Sequence, residues 1–97
     1  MKTVWKYQIS PIGETVIELP IPHRFLCVEL QFGVPHVWVE HEVPNDAKRK
    51  YVFQLIPTGS EVPKHAFWCG TLFSPNAEFV FHVYRHAVAH VADATRL

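Results

Sequence analysis

The sequence predicts an all-β protein, a small antiparallel β-sandwich or barrel with a short C-terminal helix or tail. Three observations predict it. Seven short runs alternate apolar and polar residues, the pattern of strands with one buried face. Proline, glycine, asparagine and serine punctuate the gaps between them. Only the last dozen or so residues break the alternation, where alanines at 87, 89, 92 and 94 favour helix.

The first run, Thr3 to Ile9, sets Trp5, Tyr7 and Ile9 against Lys6 and Gln8. Ser10 to Gly13 supplies a turn. Thr15 to Leu19 is a second, shorter strand with Thr15, Ile17 and Leu19 on one face. Pro20 and Pro22 end it, because proline cannot donate to a ladder. His23 and Arg24 lead into the central hairpin, Phe25 to Val43, whose two arms join at Gly33. Glycine adopts the positive φ that a tight hairpin turn demands.

Side chains on a strand point alternately to opposite faces. In the first arm Leu26, Val28, Leu30 and Phe32 therefore share one face, and Phe25, Cys27, Glu29 and Gln31 the other. In the second arm Val37, Val39 and Val43 share a face with His41, opposite His36, Trp38, Glu40 and Glu42. Pro44 to Lys50 reads as a polar loop carrying the basic triplet Lys48, Arg49 and Lys50. Tyr51 to Ile56 is the fifth strand, with Tyr51, Phe53 and Leu55 on one side. After a loop from Pro57 to Lys64, His65 to Phe73 is a sixth strand. Gly70 within it marks a bulge or a close backbone approach. Ser74 to Ala77 turns the chain into Glu78 to Tyr84, with Phe79, Phe81 and Val83 inward and Val80, His82 and Tyr84 outward. Residues 1–84 thus form a single antiparallel β domain, and residues 85–97 a helical or flexible tail.

The chain has 97 residues, 48% apolar and 13% aromatic, with a formal net charge of zero. That is enough for one modest core burying about 60–70% of the unfolded surface. Zero net charge gives no global attraction to nucleic acid or anionic membranes. It also does little to keep copies apart, so a homo-oligomer is expected as readily as a monomer. No run approaches a transmembrane span, and no apolar segment follows the basic start as in a signal peptide. The two cysteines, Cys27 and Cys69, read as reduced, buried structural thiols of a cytosolic protein.

Catalytic patterns are missing from the sequence. Ser10, Ser60 and Ser74 fall in turns rather than in a nucleophile elbow. The four glycines form no phosphate cradle. His82, His86 and His90 are spaced by four, but the first belongs to a strand, so they make no closed metal site. No enzyme, metal or cofactor is expected. His41, on an apolar face, reads as a satisfied core or interface histidine.

One surface stands out. Glu29, Gln31, His36, Trp38 and Glu40 share a face, to which Trp68, His82 and Tyr84 could add. Aromatics interleaved with hydrogen-bonding groups serve small-molecule pockets and protein hot spots alike. Trp38 and Trp68 read first as a second core layer of the sandwich, and second as part of a binding surface.

The segments Val4-Trp5-Lys6-Tyr7, Gln31 to Trp38 around Gly33-Val34-Pro35, Thr58-Gly59, Gly70-Thr71 and Val80-Phe81-His82-Val83-Tyr84, in that order, resemble a family of small, functionally uncharacterised proteins of tailed phages and prophages. The resemblance covers residues 3–84. It brings no catalytic site or ligand. It implies a phage protein acting in the host cytoplasm, where small dispensable phage proteins often disable host defences. The function expected is therefore non-enzymatic binding that covers a host protein. The first alternative is a sponge for a nucleotide-type signal, held between aromatics and Lys48, Arg49 and Lys50. The second is a minor structural phage protein.

Overall fold

Strands with one apolar face need a second layer, and the chain supplies it by dividing its strands between two antiparallel sheets. The computed structural model describes residues 1–43 and 47–88. In chain order the strands are β1 (Lys2–Gln8), β2 (Glu14–Pro20), β3 (His23–Gln31), β4 (Val34–Glu42), β5 (Lys48–Pro57), β6 (Phe67–Phe73) and β7 (Val80–Ala87). A single 3-10 turn, Pro75–Ala77, precedes β7. One sheet runs β1-β4-β3 and the other β2-β5-β7-β6. The all-β antiparallel sandwich is therefore as the sequence predicts.

The inner rows are those the alternation picks out on β2, β4 and β5. Ile17 and Leu19, Val37 and Val39, and Tyr51 and Phe53 are buried, with Ile9, Val28, Leu72 and Val83 completing the core. Each such aliphatic or aromatic side chain contributes about 1.5–3 kcal/mol of transfer free energy.

Four expectations need correction. First, the register of β3 on β4 slips between Phe25 and Cys27. The bulge moves Phe25 to the inner side, against Phe53 and Tyr51, and leaves Leu26 exposed. Second, Lys48, Arg49 and Lys50 are not in a loop. They open β5, paired with Pro20, Leu19 and Glu18 of β2. Third, the tail does not begin at Arg85. Arg85 to Ala87 continue β7, opposite Phe53, Val52 and Tyr51, because a waiting ladder on β5 outweighs the helix propensity of one alanine. The helix expected further on falls at residues 89–97, outside the described residues. Fourth, Cys27 is exposed rather than buried; Cys69 is half-buried, and both are free thiols.

The sheets meet most closely where β3 crosses β6. A Cβ added at Gly70 would collide with Cγ2 of Val28. The register of β6 on β7 slips between Trp68 and Gly70, so a bulge and a close approach coincide. Beside this contact the Arg85 guanidinium lies 4.2 Å from the Phe25 ring centroid and 5.6 Å from those of Tyr51 and Phe67. Cation–π attraction lets this inward charge sit among aromatics.

Gly70→Ala is expected to cost about 1–3 kcal/mol, the price of overpacking a filled core. Removing the opposing methyls with Val28→Ala should make the double variant less destabilised than the sum of the singles. Urea unfolding of the four proteins measures this. Strict additivity would show that the two positions do not touch.

Candidate functional site

The structure scatters the site residues read from the sequence over three places. Glu29, Gln31, His36, Trp38 and Glu40 do share a face, the outer surface of the three-stranded sheet. Lys6 stands opposite Trp38 and bonds Gln31 through its ammonium group. Glu40 lies 3.8 Å from Lys2, and the His36 ring is 5.9 Å from that of Trp38. Trp38 is half-buried on this charged sheet surface and belongs to no second core layer.

Trp68, His82 and Tyr84 lie on the outer surface of the other sheet, across the thickness of the sandwich. Trp68 stands opposite Tyr84, which stands opposite Gln54. Trp68 is 60% exposed, so it too is surface rather than core. A hydrogen-bonded chain fixes this face. Thr58 donates to the Val80 carbonyl (3.4 Å), so Nε2 of His82 donates to Thr58 Oγ1 (3.0 Å). Nδ1 then accepts from the Thr71 hydroxyl (3.2 Å), which itself accepts from Trp68 Nε1 (3.2 Å). Two threonines, and no carboxylate, orient this imidazole. The basic triplet sits in a third place, exposed at the start of β5.

A different surface gathers what the sequence reading missed. The β1–β2 turn, the β3–β4 hairpin tip and the β6–β7 connection converge on one end of the sandwich. Between them lies an apolar cavity of about 150 Å³, lined chiefly by Pro11, Leu30, Pro35, Leu55, Leu72 and Phe81. Around it Ile12, Phe32, Phe73 and Phe79 stand in solvent. Phe32 is 97% exposed.

The hairpin has a two-residue loop, Phe32-Gly33, between the paired residues Gln31 and Val34. Both loop residues have positive φ, 52° and 76°, as the turn that matches strand twist requires. Gly33 meets that demand freely; Phe32 does not. Asn76 and Ala77 also take positive φ at this end, 68° and 54°. Ser74 holds their turn, accepting from Ala77 N at 2.8 Å through its carbonyl and from Phe79 N at 2.8 Å through its hydroxyl.

Residues 1–93 match a family described as a domain of unknown function, DUF7352. The chain belongs to that family. No curated protein and no solved structure matches it.

The DUF7352 chain is also concave at the flank where β1 and β2 part. A cleft of about 250 Å³ is lined by Trp5, Tyr7, Glu18, Pro20, His41, Glu42, Val43 and Lys48. His41 forms its back wall, 8% exposed, with its ring 6.2 Å from that of Trp5. Its Nδ1 donates to the Glu42 carbonyl at 3.2 Å, since a carbonyl only accepts. Nε2 is then a buried acceptor without a partner among the described residues. The satisfied histidine expected at this position is thus only half satisfied. On the other side of His41, a cavity of about 210 Å³ is lined by Lys2, Pro22, His23, Arg24, Glu40 and Glu42. Burial holds His23 below the ordinary imidazole value, outweighing the bond from its Nδ1 to the Pro20 carbonyl. Among the described residues no three His, Cys, Asp or Glu side chains gather to hold a metal, and no helix is long and apolar enough to cross a membrane.

The two thiols of this DUF7352 domain differ in environment. Burial pushes Cys69 up to about 11, against the lowering influence of Arg85. The thiolate is the reactive form. A thiol reagent at pH 8 is expected to label Cys27 quickly and Cys69 slowly, with Cys69 labelling still rising as pH climbs toward 11. Mass spectrometry of the native protein beside Cys27→Ser checks this. Rapid labelling of Cys27→Ser at pH 8 would contradict it.

Proposed function

We propose that this chain is a non-enzymatic, phage-encoded interaction protein. It acts in the host cytoplasm and counters host defence by docking its apolar end on a host protein and occluding it. Phe32 carries this reading. A residue with a Cβ on left-handed backbone costs about 1–2 kcal/mol, and Phe32 recovers none of that by burial. An aromatic presented to water on a tight turn beside an apolar cavity is suited to be a hot spot, its backbone set before its partner arrives. A cavity near 150 Å³ matches one aromatic ring, so the partner should offer a ring or branched aliphatic side chain. Ile12, Phe73 and Phe79 would then exclude water around it. The likeness of residues 3–84 to phage and prophage proteins supports the source.

Phe32→Asn tests the reading, because it creates the asparagine–glycine pair that such turns prefer. Stability should rise by about 1 kcal/mol, and the melting temperature by roughly 4–8 °C. Capture of a host protein by the immobilised domain should be lost. A variant that folds and still captures the partner would overturn the proposal, as would a native domain that captures nothing from any bacterial host tried.

A second reading, sequestration of a nucleotide-type signal, has one observation behind it: the cleft of Trp5, Tyr7 and Lys48 with His41, whose Nε2 has no partner among the described residues. Glu18 and Glu42 in the same cleft repel phosphate. Thermal shift against a nucleotide panel separates the readings. A bound signal at a hundredfold over its Kd would add about 2.7 kcal/mol. No shift is expected, and a large one would move the function to the cleft.

A further inference from the structure

The four edges of the two sheets are managed unequally. β3 and β6 lie against each other at Val28 and Gly70, and each carries a bulge. β2 ends in Pro20, with Pro22 close behind. β1 differs. Its seven residues pair with β4 in unbroken register, without proline or bulge, and its other side is the edge of the sheet. It also exposes Val4 and Trp5, the latter 57% in solvent. A regular, partly apolar edge is a template for another strand.

We propose that β1 pairs antiparallel with β1 of a second copy of this chain, about a two-fold axis at Trp5. The two three-stranded sheets thereby become one continuous sheet. Such an interface uses the same patch on both copies and closes on itself. Charge selects the register. Lys2, Val4, Lys6 and Gln8 share the outer face with Glu42, Glu40, Trp38 and His36 of β4. A two-fold axis normal to the sheet preserves faces, so only residues of like parity come opposite. Centred on Trp5, it sets Lys2 opposite Gln8, Thr3 opposite Tyr7, Val4 opposite Lys6 and Trp5 opposite itself. All of β1 is used and no lysine meets a lysine. Centred on Val4, Lys2 would meet Lys6; centred on Lys6, that residue would meet itself; like charges directly opposite are unfavourable. The formal net charge of zero adds no global repulsion. This interface lies along the flank of the sandwich and leaves the Phe32 end free.

Sedimentation velocity over a roughly hundredfold range of concentration should show a monomer–dimer equilibrium. Val4→Lys should weaken it by at least about tenfold, because each new lysine faces Lys6 of the partner copy. Within its own chain the new lysine faces Glu40, so the thermal melt at concentrations where the native protein is monomeric should hold. Register is read by oxidation in a background lacking Cys27. Trp5→Cys should give a covalent dimer and Thr3→Cys should not. A native protein that stays monomeric throughout overturns the proposal, as does a dimer indifferent to Val4→Lys. Equal cross-linking at both positions overturns the register.

Discussion

How closely β3 can approach β6 governs this fold. At their crossing the side chain of Val28 occupies the space a Cβ of residue 70 would fill, so only glycine permits the contact. A bulge lies beside it on each strand, between Phe25 and Cys27 and between Trp68 and Gly70. Bulges bend their strands and raise local twist, and here they let two sheet edges converge. The same irregularity turns Phe25 inward, where it meets Phe53, Tyr51 and the Arg85 guanidinium. With one flank of the sandwich closed, β1 and β2 are left as edges on the other, with the Trp5–His41 cleft between them.

That constraint explains which features the sequence made legible. Where a strand is regular and half-buried, period-two alternation finds its inner face, as on β2, β4 and β5. Gly70 announced a close approach because glycine within a strand pattern has few other uses. The bulge at Leu26 had no such marker. Nothing in Phe25-Leu26-Cys27 distinguishes an inserted residue from a regular one, so Phe25 and Leu26 were assigned to the wrong faces. Lys48 to Lys50 read as loop because charge hides a strand whose side chains reach solvent on both faces. Arg85 to Ala87 read as the start of a helix because propensity is local, while the ladder that claims them belongs to β5.

The residues singled out from the sequence share faces, but not one place. Parity correctly put Glu29, Gln31, His36, Trp38 and Glu40 together. It could not say that Trp68, His82 and Tyr84 belong to a second sheet whose outer surface faces away from the first. The apolar end was missed for a related reason. Turn residues were read for their backbone role alone, so Phe32 passed as the end of an inner row. The available signal was chemical: in a two-residue hairpin loop before glycine, asparagine or aspartate is the easy choice, and phenylalanine is not.

Natural chains depart from local rules chiefly where function demands it. In this chain the departures are grouped. Three of the four non-glycine residues with positive φ, Phe32, Asn76 and Ala77, fall beside the exposed side chains of Ile12, Phe73 and Phe79; the fourth, His65, precedes β6. Among the described residues the edge without proline or bulge is β1, where Trp5 and Val4 sit in water. Between the sheets the inner rows are filled chiefly by Val, Leu, Ile and aromatic side chains, which hold the Arg85 guanidinium, and among the described residues the buried Nε2 of His41 has no partner. The His41 ring lies 6.2 Å from that of Trp5, so this buried imidazole adjoins the β1 edge. A strand added there would change the surroundings of both residues, whereas docking at the Phe32 end would not reach them. The two surfaces lie apart, so a molecule paired through β1 as proposed would present two copies of one apolar end.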